Sequence, residues 1–194
     1  MLGRKNTTFL LAGAILVCAN TLATAAPAQR ITLSDVHGKS RKVLSAIDGR
    51  PTAVLFLGHD CPISNKYSPE INRIIAQYGK RVSFFIVYAD PDVAKAEALK
   101  HSQDFSYRCP ALLDSKHKMV KRAGATVTPE AAVFDSRGRL AYRGRIDDTY
   151  IDYGKRRDAP TRKDLRLALD SVLKGKRVTP ATTKAVGCFI PGKA

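Results

Sequence analysis

The chain has 194 residues, of which 44% are hydrophobic and 26% are charged, and this composition excludes a disordered chain and fits a single globular domain. Lys and Arg outnumber Asp and Glu by 33 to 17, giving a formal net charge of +16 that favours an anionic membrane or wall surface as a partner. Because the chain has no Trp and only 7% aromatic residues, it is poorly suited to stack bases, and no nucleic-acid partner is predicted.

The N-terminus has the features of a secretory signal peptide, which we predict at residues 1–25. A basic pair at residues 4–5 precedes an apolar run at residues 9–19, and the small residues 23–25 are typical of a cleavage site. The run is shorter than the roughly 20 apolar residues of a membrane-spanning helix. Cleavage would discard Cys18 and release a secreted or periplasmic protein into an oxidising compartment.

Apolar runs and turn residues alternate along the rest of the chain as strands and helices do. In chain order, they predict a hairpin of strands 31–36 and 41–44, strand 52–58, a helix between Cys61 and Gly79, strand 82–88, helix 91–103, strand 111–113, helix 114–124, a hairpin of strands 131–134 and 140–146, and helix 161–175. Asp90, Asp114 and Thr161 are predicted to cap helix starts. The pattern predicts a mixed sheet with helices on both faces, followed by an irregular C-terminal arm at residues 176–194.

The cysteines direct attention to redox chemistry. Three of them, Cys61, Cys109 and Cys188, follow the signal peptide, and an odd number in an exported protein leaves at least one thiol free, reactive or paired outside the chain. Cys61 joins a buried strand to a helix, where the helix dipole and free N–H groups stabilise a thiolate. Polar neighbours predict that this thiol lies in an exposed turn. Cys109 precedes a core strand, where thiols are usually inert.

Several segments make the chain resemble the thioredoxin-fold redoxins, most closely the peroxiredoxin-like branch of the alkyl hydroperoxide reductase and thiol-specific antioxidant group. The matching segments are LSDVHGKSRKVLSAIDGRPTAVLF at 33–56, GHDCPIS at 58–64, Thr128-Pro129 before AAVFD, and GRLAYRGRID at 138–147. The resemblance implies a thioredoxin-like three-layer α/β fold with a mixed central sheet, an N-terminal hairpin and an irregular C-terminal arm. The predicted domains are the signal peptide, a redoxin domain at 26–175 and the arm at 176–194.

The resemblance also implies an activity, that of a thiol–disulfide oxidoreductase or thiol-based antioxidant with Cys61 as its nucleophile. Ser64 stands where thioredoxin has its second cysteine, so the motif cannot close its own disulfide, and Ser64 is expected to steady the thiolate. Gly58 stands where peroxiredoxins have Thr or Ser, which argues against ordinary peroxidase activity. Thr128 and Pro129 correspond to the cis-proline loop that aligns an incoming partner chain.

A CxxS motif leaves a mixed disulfide that needs another thiol to resolve it. Cys188 is the predicted resolving cysteine, because an arm of about 20 residues could fold back to Cys61. The alternative is a structural disulfide between Cys109 and Cys188. The predicted partners are a protein disulfide or peroxide substrate and an external thiol reductant, and no cofactor is predicted.

Two neighbours of Cys61 are expected to modulate its pKa. A protonated His59 would lower the pKa, and the like charge of Asp60 would raise it. His59 also opens an alternative, a copper-binding or anionic-partner-binding redoxin scaffold without turnover. The candidate copper ligands are His59, Cys61, His101, Cys109, His117 and Cys188. Because Asn65 occupies the second cysteine position of the CxxxC motif typical of copper-handling relatives, no metal site is assigned.

Overall fold

The computed structural model describes residues 31–44 and 49–192. The predicted signal peptide and Cys18 lie outside the described residues, and the domain boundaries that depend on them stay predictions. Within the described part of the chain, no helix is long and apolar enough to cross a membrane.

The described residues form eleven strands and four helices. The strands are β1 (Ile31–Asp35), β2 (Ser40–Leu44), β3 (Thr52–Leu57), β4 (Ser83–Tyr88), β5 (Ala111–Leu113), β6 (Val127–Thr128), β7 (Glu130–Phe134), β8 (Leu140–Gly144), β9 (Tyr150–Asp152), β10 (Lys155–Arg156) and β11 (Cys188–Phe189). The helices are α1 (Pro62–Tyr78), α2 (Lys95–Asp104), α3 (Lys118–Ala123) and α4 (Asp164–Leu173).

A seven-stranded sheet with the order β2-β1-β5-β4-β3-β7-β8 forms the centre of the fold. Strands β3, β4 and β5 are parallel neighbours, whereas β7 is antiparallel to β3 and β8 is antiparallel to β7. The N-terminal strands β1 and β2 form the predicted hairpin, which turns at Gly38 with a φ of 85°. The prediction of a mixed sheet with an N-terminal hairpin is therefore confirmed.

The central strand β3 divides the core into two layers. All six of its residues are buried, and because strand side chains alternate between faces, Leu55 packs with α1 and α4 while Phe56 packs with α3. Full burial of one such side chain contributes about 1.5–3 kcal/mol. Helices thus cover both faces, as the predicted three-layer architecture requires, and β3 ends next to Cys61.

Three predicted helix starts are wrong. The carboxylate of Asp90 accepts the N–H of Asp92 at 2.9 Å, so this segment turns and α2 begins only at Lys95. Asp114 does accept N–H groups from the first turn of α3, but that helix begins at Lys118. The backbone N–H of Thr161 donates to Asp148, its hydroxyl does the same, and α4 begins after it.

The arm is irregular for most of its length, but it contains one strand that the prediction missed. β11 pairs antiparallel with β6, with Cys188 opposite Thr128 and Phe189 opposite Val127. Two residues are too few to show a periodic pattern in the sequence. This pairing forms a separate two-stranded sheet that brings the arm beside Cys61.

Candidate functional site

Cys61 lies between β3 and α1, at the N-cap position of the helix. Its backbone is extended, with a φ of −77° and a ψ of 112°, and its carbonyl oxygen accepts the N–H of Asn65 at 3.0 Å. This position lies next to the free N–H groups of the helix start, which stabilise a thiolate. The predicted exposed turn is wrong, however, because Cys61 is only 1% exposed. The C-terminal arm covers it.

The peptide bond between Thr128 and Pro129 lies beside Cys61 and is cis, as the resemblance implies. The Cys61 thiol donates to the carbonyl oxygen of Thr128 at a distance of 3.1 Å. Gly58 lies on another side of the thiol, where an added Cβ atom would be 3.0 Å from Cys61 Cβ and 3.0 Å from Thr128 Oγ1. The space beside Cys61 therefore fits glycine and would not accept the threonine of peroxiredoxins without displacing its neighbours.

The arm brings Cys188 to Cys61. Because Cys188 pairs with Thr128 across the β6–β11 ladder, its side chain reaches the same place as the Cys61 thiol, and the two Sγ atoms are 2.7 Å apart. Both cysteines are free thiols, close enough that a small movement would bring them to the roughly 2.05 Å of a disulfide. The structure therefore places Cys188 against Cys61 and not against Cys109.

The environment of Cys61 lowers the pKa of its thiol below the ordinary value. Burial raises the pKa, but hydrogen bonds from the Cys188 thiol and from the N–H and hydroxyl of Ser64 favour the thiolate and outweigh burial. Ser64 is itself buried and accepts the N–H of Gly58 at 3.3 Å. The residue that replaces the second cysteine of thioredoxin thus contacts the candidate nucleophile.

The environments of the other two described cysteines raise the pKa of their thiols. Burial, together with the hydrogen bond and charge of Cys61, raises the pKa of Cys188 to about 12. Burial alone raises the pKa of Cys109 to about 12. Of the three described cysteines, Cys61 is the one whose environment lowers the pKa of the thiol and so favours the reactive thiolate.

His59 and Asp60 lie in the turn that leads to Cys61. The carboxylate of Asp60 is 80% exposed, and its Oδ1 atom is 3.9 Å from His59 Nδ1. Exposed pairs at this distance interact weakly. Burial and the neighbouring Cys61 are the main causes of the raised pKa of Cys188, and the charge of Asp60 raises it further. This carboxylate therefore affects Cys188, the candidate resolving cysteine.

A hydrogen-bond chain that is buried at Tyr88 and His101 supports this turn, and no pattern in the sequence indicates it. The hydroxyl of Tyr88 bonds His101 Nδ1 at 2.7 Å, His101 Nε2 bonds Asn65 Oδ1 at 2.8 Å, and Asn65 Nδ2 donates to the His59 carbonyl oxygen at 3.3 Å. Burial lowers the pKa of His101 to about 4, so its ring is neutral. These hydrogen bonds hold the side chain of Asn65 in place, and the backbone N–H of Asn65 donates to the Cys61 carbonyl oxygen.

Of the six candidate copper ligands, Cys61 and Cys188 are in contact, but the histidines do not complete a metal site with them. His101 uses both ring nitrogens in the buried chain, and His117 Nε2 bonds the carbonyl oxygen of Ala89 at 2.7 Å. Among residues 31–44 and 49–192, no group of three or more His, Cys, Asp or Glu side chains could hold a metal ion.

The sequence matches the Redoxin family over residues 21–155, more than half of the chain. No curated protein matches it. Two crystal structures resemble it over most of both chains. One is a hypothetical protein of Sinorhizobium meliloti 1021 with 26% identity and a TM-score of 0.74, covering 87% of this chain and 93% of that one. The other is an uncharacterized conserved protein of Geobacillus kaustophilus with 26% identity and a TM-score of 0.72, covering 86% and 90%.

A more distant structure is a thiol-disulfide oxidoreductase from Bacteroides fragilis NCTC 9343. It is 14% identical, with a TM-score of 0.52, and the match covers 60% of this chain and 88% of that one. At this identity the likeness concerns the fold alone. Together with the family match, it confirms the thioredoxin-like fold.

Proposed function

Because the chain belongs to the Redoxin family, a group of thioredoxin-fold redox proteins, we propose that it is an exported thiol–disulfide oxidoreductase. Cys61 is the nucleophile and Cys188 is the resolving cysteine. One observation carries the proposal: the β6–β11 pairing holds the two sulfur atoms 2.7 Å apart. The predicted signal peptide supports export.

In the first step, the Cys61 thiolate attacks one sulfur of a substrate disulfide. A bond forms between Cys61 and that sulfur, the substrate S–S bond breaks, and the second substrate sulfur leaves as a thiolate with the electron pair. The N–H and hydroxyl of Ser64, which favour the thiolate, hold Cys61 in its reactive form. Thr128 and Pro129 lie beside the reacting sulfur and provide the edge on which a partner chain docks.

In the second step, Cys188 attacks the Cys61 sulfur of the mixed disulfide. The hydrogen bond and charge of Cys61 contribute to the high pKa of Cys188, and both are lost when Cys61 is bonded to substrate. Cys188 then loses its proton more readily, forms the Cys61–Cys188 bond and releases the remaining substrate thiolate. Two equivalents of an external thiol restore the reduced protein and are themselves oxidised to a disulfide.

A peroxide can enter the same cycle. The Cys61 thiolate would attack one peroxide oxygen and break the O–O bond, becoming a sulfenic acid while the second oxygen leaves with the electron pair and is protonated to water or an alcohol. Cys188 would then attack the sulfenic sulfur and displace water to form the same disulfide. Gly58 gives no hydroxyl to the peroxide. We therefore place disulfide exchange first and peroxide reduction second.

Peptide mapping without reduction tests the proposal. The mature protein is alkylated before and after treatment with dithiothreitol, glutathione disulfide or stoichiometric peroxide. We expect a reversible Cys61–Cys188 disulfide, with Cys109 in no disulfide before or after oxidation. A Cys109–Cys188 disulfide, or no Cys61–Cys188 disulfide under any oxidant, would contradict the proposal.

Replacement of Ser64 by Ala should change the pH dependence of the first step. The rate of Cys61 alkylation rises with pH as the thiolate forms, and it levels off above the pKa, which lies below the ordinary value. Loss of a hydrogen bond to a charged group costs about 1.5 kcal/mol, so the midpoint should move upward by about one pH unit. The midpoint is measured from iodoacetamide rates between pH 5 and about 10, the range in which thiols titrate.

Ser68→Ala is the matched control for Ser64→Ala. Ser68 lies one turn further along α1, is also buried, and donates its hydroxyl to the carbonyl oxygen of Asn65 at 2.9 Å. Its removal should leave the midpoint unchanged. Equal midpoints for wild type and Ser64→Ala would show that Ser64 does not stabilise the thiolate.

A further inference from the structure

The strand edge next to Cys61 is occupied by the protein's own arm. β11 uses the backbone of β6, and beneath this pairing Cys61 is 1% exposed and Thr128 is 5% exposed. An external oxidant cannot reach the Cys61 sulfur past an arm that stays in this position. The arm therefore has to move before the first step of the proposed cycle.

β11 also serves as a template for how an extended substrate would bind. It runs antiparallel to β6 and carries a sulfur-bearing residue opposite Thr128, and this arrangement places that sulfur in contact with Cys61. An extended chain with a disulfide sulfur at the same register would use the same backbone groups, since strand addition relies on main-chain hydrogen bonds. Such a chain and β11 cannot occupy the edge together.

Gly187 permits the arm to lie this close to the cis-proline loop. A Cβ atom at this position would overlap the carbonyl oxygen of Thr128 and would be 2.6 Å from its carbonyl carbon and 3.0 Å from the Pro129 nitrogen. These are backbone atoms, which cannot turn away as a flexible side chain could. Any other residue at position 187 would force the arm away from the loop.

Few other bonds hold this part of the arm. The hydroxyl of Tyr153 donates to the carbonyl oxygen of Gly187, and the N–H of Ile190 donates to the carbonyl oxygen of Thr126 at 3.2 Å. The side chain of Phe189 between them is 77% exposed and adds little apolar burial, whereas the side chain of Ile190 is 5% exposed, packs in the core and anchors the end of the pairing. The stretch from Gly187 to Phe189 has few bonds, so it can open without unfolding the sheet while Ile190 stays packed.

We propose that Gly187 is a positioning residue that seats the arm on the cis-proline loop, and that the seated arm excludes an extended, disulfide-bearing chain from Cys61. The substrate chain enters when β11 leaves the edge, and the return of the arm delivers Cys188 to the mixed disulfide. This inference rests on the proposed roles of Cys61 and Cys188. It assigns to the arm two opposed effects, which are protection of Cys61 in the first step and acceleration of the second.

The first effect is tested in the full-length mature protein carrying Cys188→Ser, with and without Gly187→Ala. We measure the rate of Cys61 alkylation by iodoacetamide and its rate of mixed-disulfide formation with a linear peptide disulfide. Gly187→Ala should raise both rates by at least about tenfold, which corresponds to about 1.4 kcal/mol in the docking equilibrium. Tyr153→Phe, which removes one bond to the arm, should raise them by a smaller factor.

The second effect is tested with Cys188 present. Gly187→Ala should slow formation of the Cys61–Cys188 disulfide after the mixed disulfide has formed, even though the first step is faster. A merely destabilised protein would not show this opposition, and it would also raise the alkylation rate of the half-buried Cys109, which is measured in the same samples as an internal control. Lys184→Ala, a change at an exposed arm residue, should leave both steps unchanged.

Different results would contradict the proposed function and the inference about the arm. If wild type forms the Cys61–Cys188 disulfide but Gly187→Ala leaves Cys61 alkylation unchanged, the arm does not protect Cys61 and this inference is wrong. If wild type forms no such disulfide under any oxidant, the proposed function itself is wrong. A rise in Cys109 alkylation equal to that of Cys61 would also overturn the inference, because it would indicate general unfolding.

Discussion

Replacement of Cys61 by Ser is expected to reduce turnover of disulfide and peroxide substrates to the uncatalysed rate. The reacting species is a thiolate, and a serine hydroxyl does not ionise at neutral pH even beside Ser64 and the start of α1. The measurement is the rate of thiol release from glutathione disulfide in the presence of an excess external reductant. Circular dichroism should be unchanged, because Ser is close to Cys in size and the site lies at a helix start.

Cys109→Ser is the matched control for this change. It also removes one thiol, which is half-buried, but desolvation raises the pKa of Cys109 to about 12, and no described sulfur lies against it as Cys188 lies against Cys61. Turnover of this variant should equal that of wild type. Loss of turnover in Cys109→Ser with retention in Cys61→Ser would exchange the roles of the two cysteines and contradict the proposed function.

The sheet could be predicted from the sequence because its strands are strongly patterned. Residues 52–58 and 82–88 are continuous apolar runs, which suit strands buried on both faces, and both become central strands, β3 and β4. The turn at residues 135–138 fixes β7 and β8 as a hairpin. Helix starts were harder, since Asp90 and Thr161 form other polar contacts that depend on residues elsewhere in the turn or the fold.

The candidate site was predictable in part. The position of Cys61 follows from a buried strand that ends at Gly58 and a helix that starts at Pro62. Its burial does not, because the cover comes from β11, more than a hundred residues away in the chain. The support from His101 was also missed, since a single histidine on a helix carries no signal of the partners that the fold provides.

The contact between Cys61 and Cys188 could also be predicted only in part. Chain length allowed the arm to reach Cys61, but it equally allowed a disulfide with Cys109. The two-residue pairing of β11 with β6 favours the contact with Cys61, and at Gly187 an added Cβ atom would overlap the backbone of Thr128. A glycine immediately before a cysteine does not by itself predict this contact. Its importance is visible only when the structure shows the cis-proline loop beside it.

Replacement of Cys188 by Ser is expected to stop the cycle after its first step. The Cys61 mixed disulfide should form and then persist, because the remaining route is attack by an external thiol. Well-oriented intramolecular reactions reach effective molarities of about 10⁵ M, so an external thiol at about 1 mM should resolve the mixed disulfide slower by a factor of up to about 10⁸. Intact mass measured over time after addition of glutathione disulfide follows the adduct.

Phe189→Ala controls for disturbance of β11 in the Cys188→Ser experiment. Phe189 is the other residue of the strand, its side chain is 77% exposed, and its replacement leaves the backbone pairing in place, so the adduct should resolve at the wild-type rate. If the adduct of Cys188→Ser also resolves at that rate, Cys188 is not the resolving cysteine. The 2.7 Å contact between the two sulfur atoms would then serve only to cover Cys61, which would act as a monothiol and depend on a partner's thiol for every turnover.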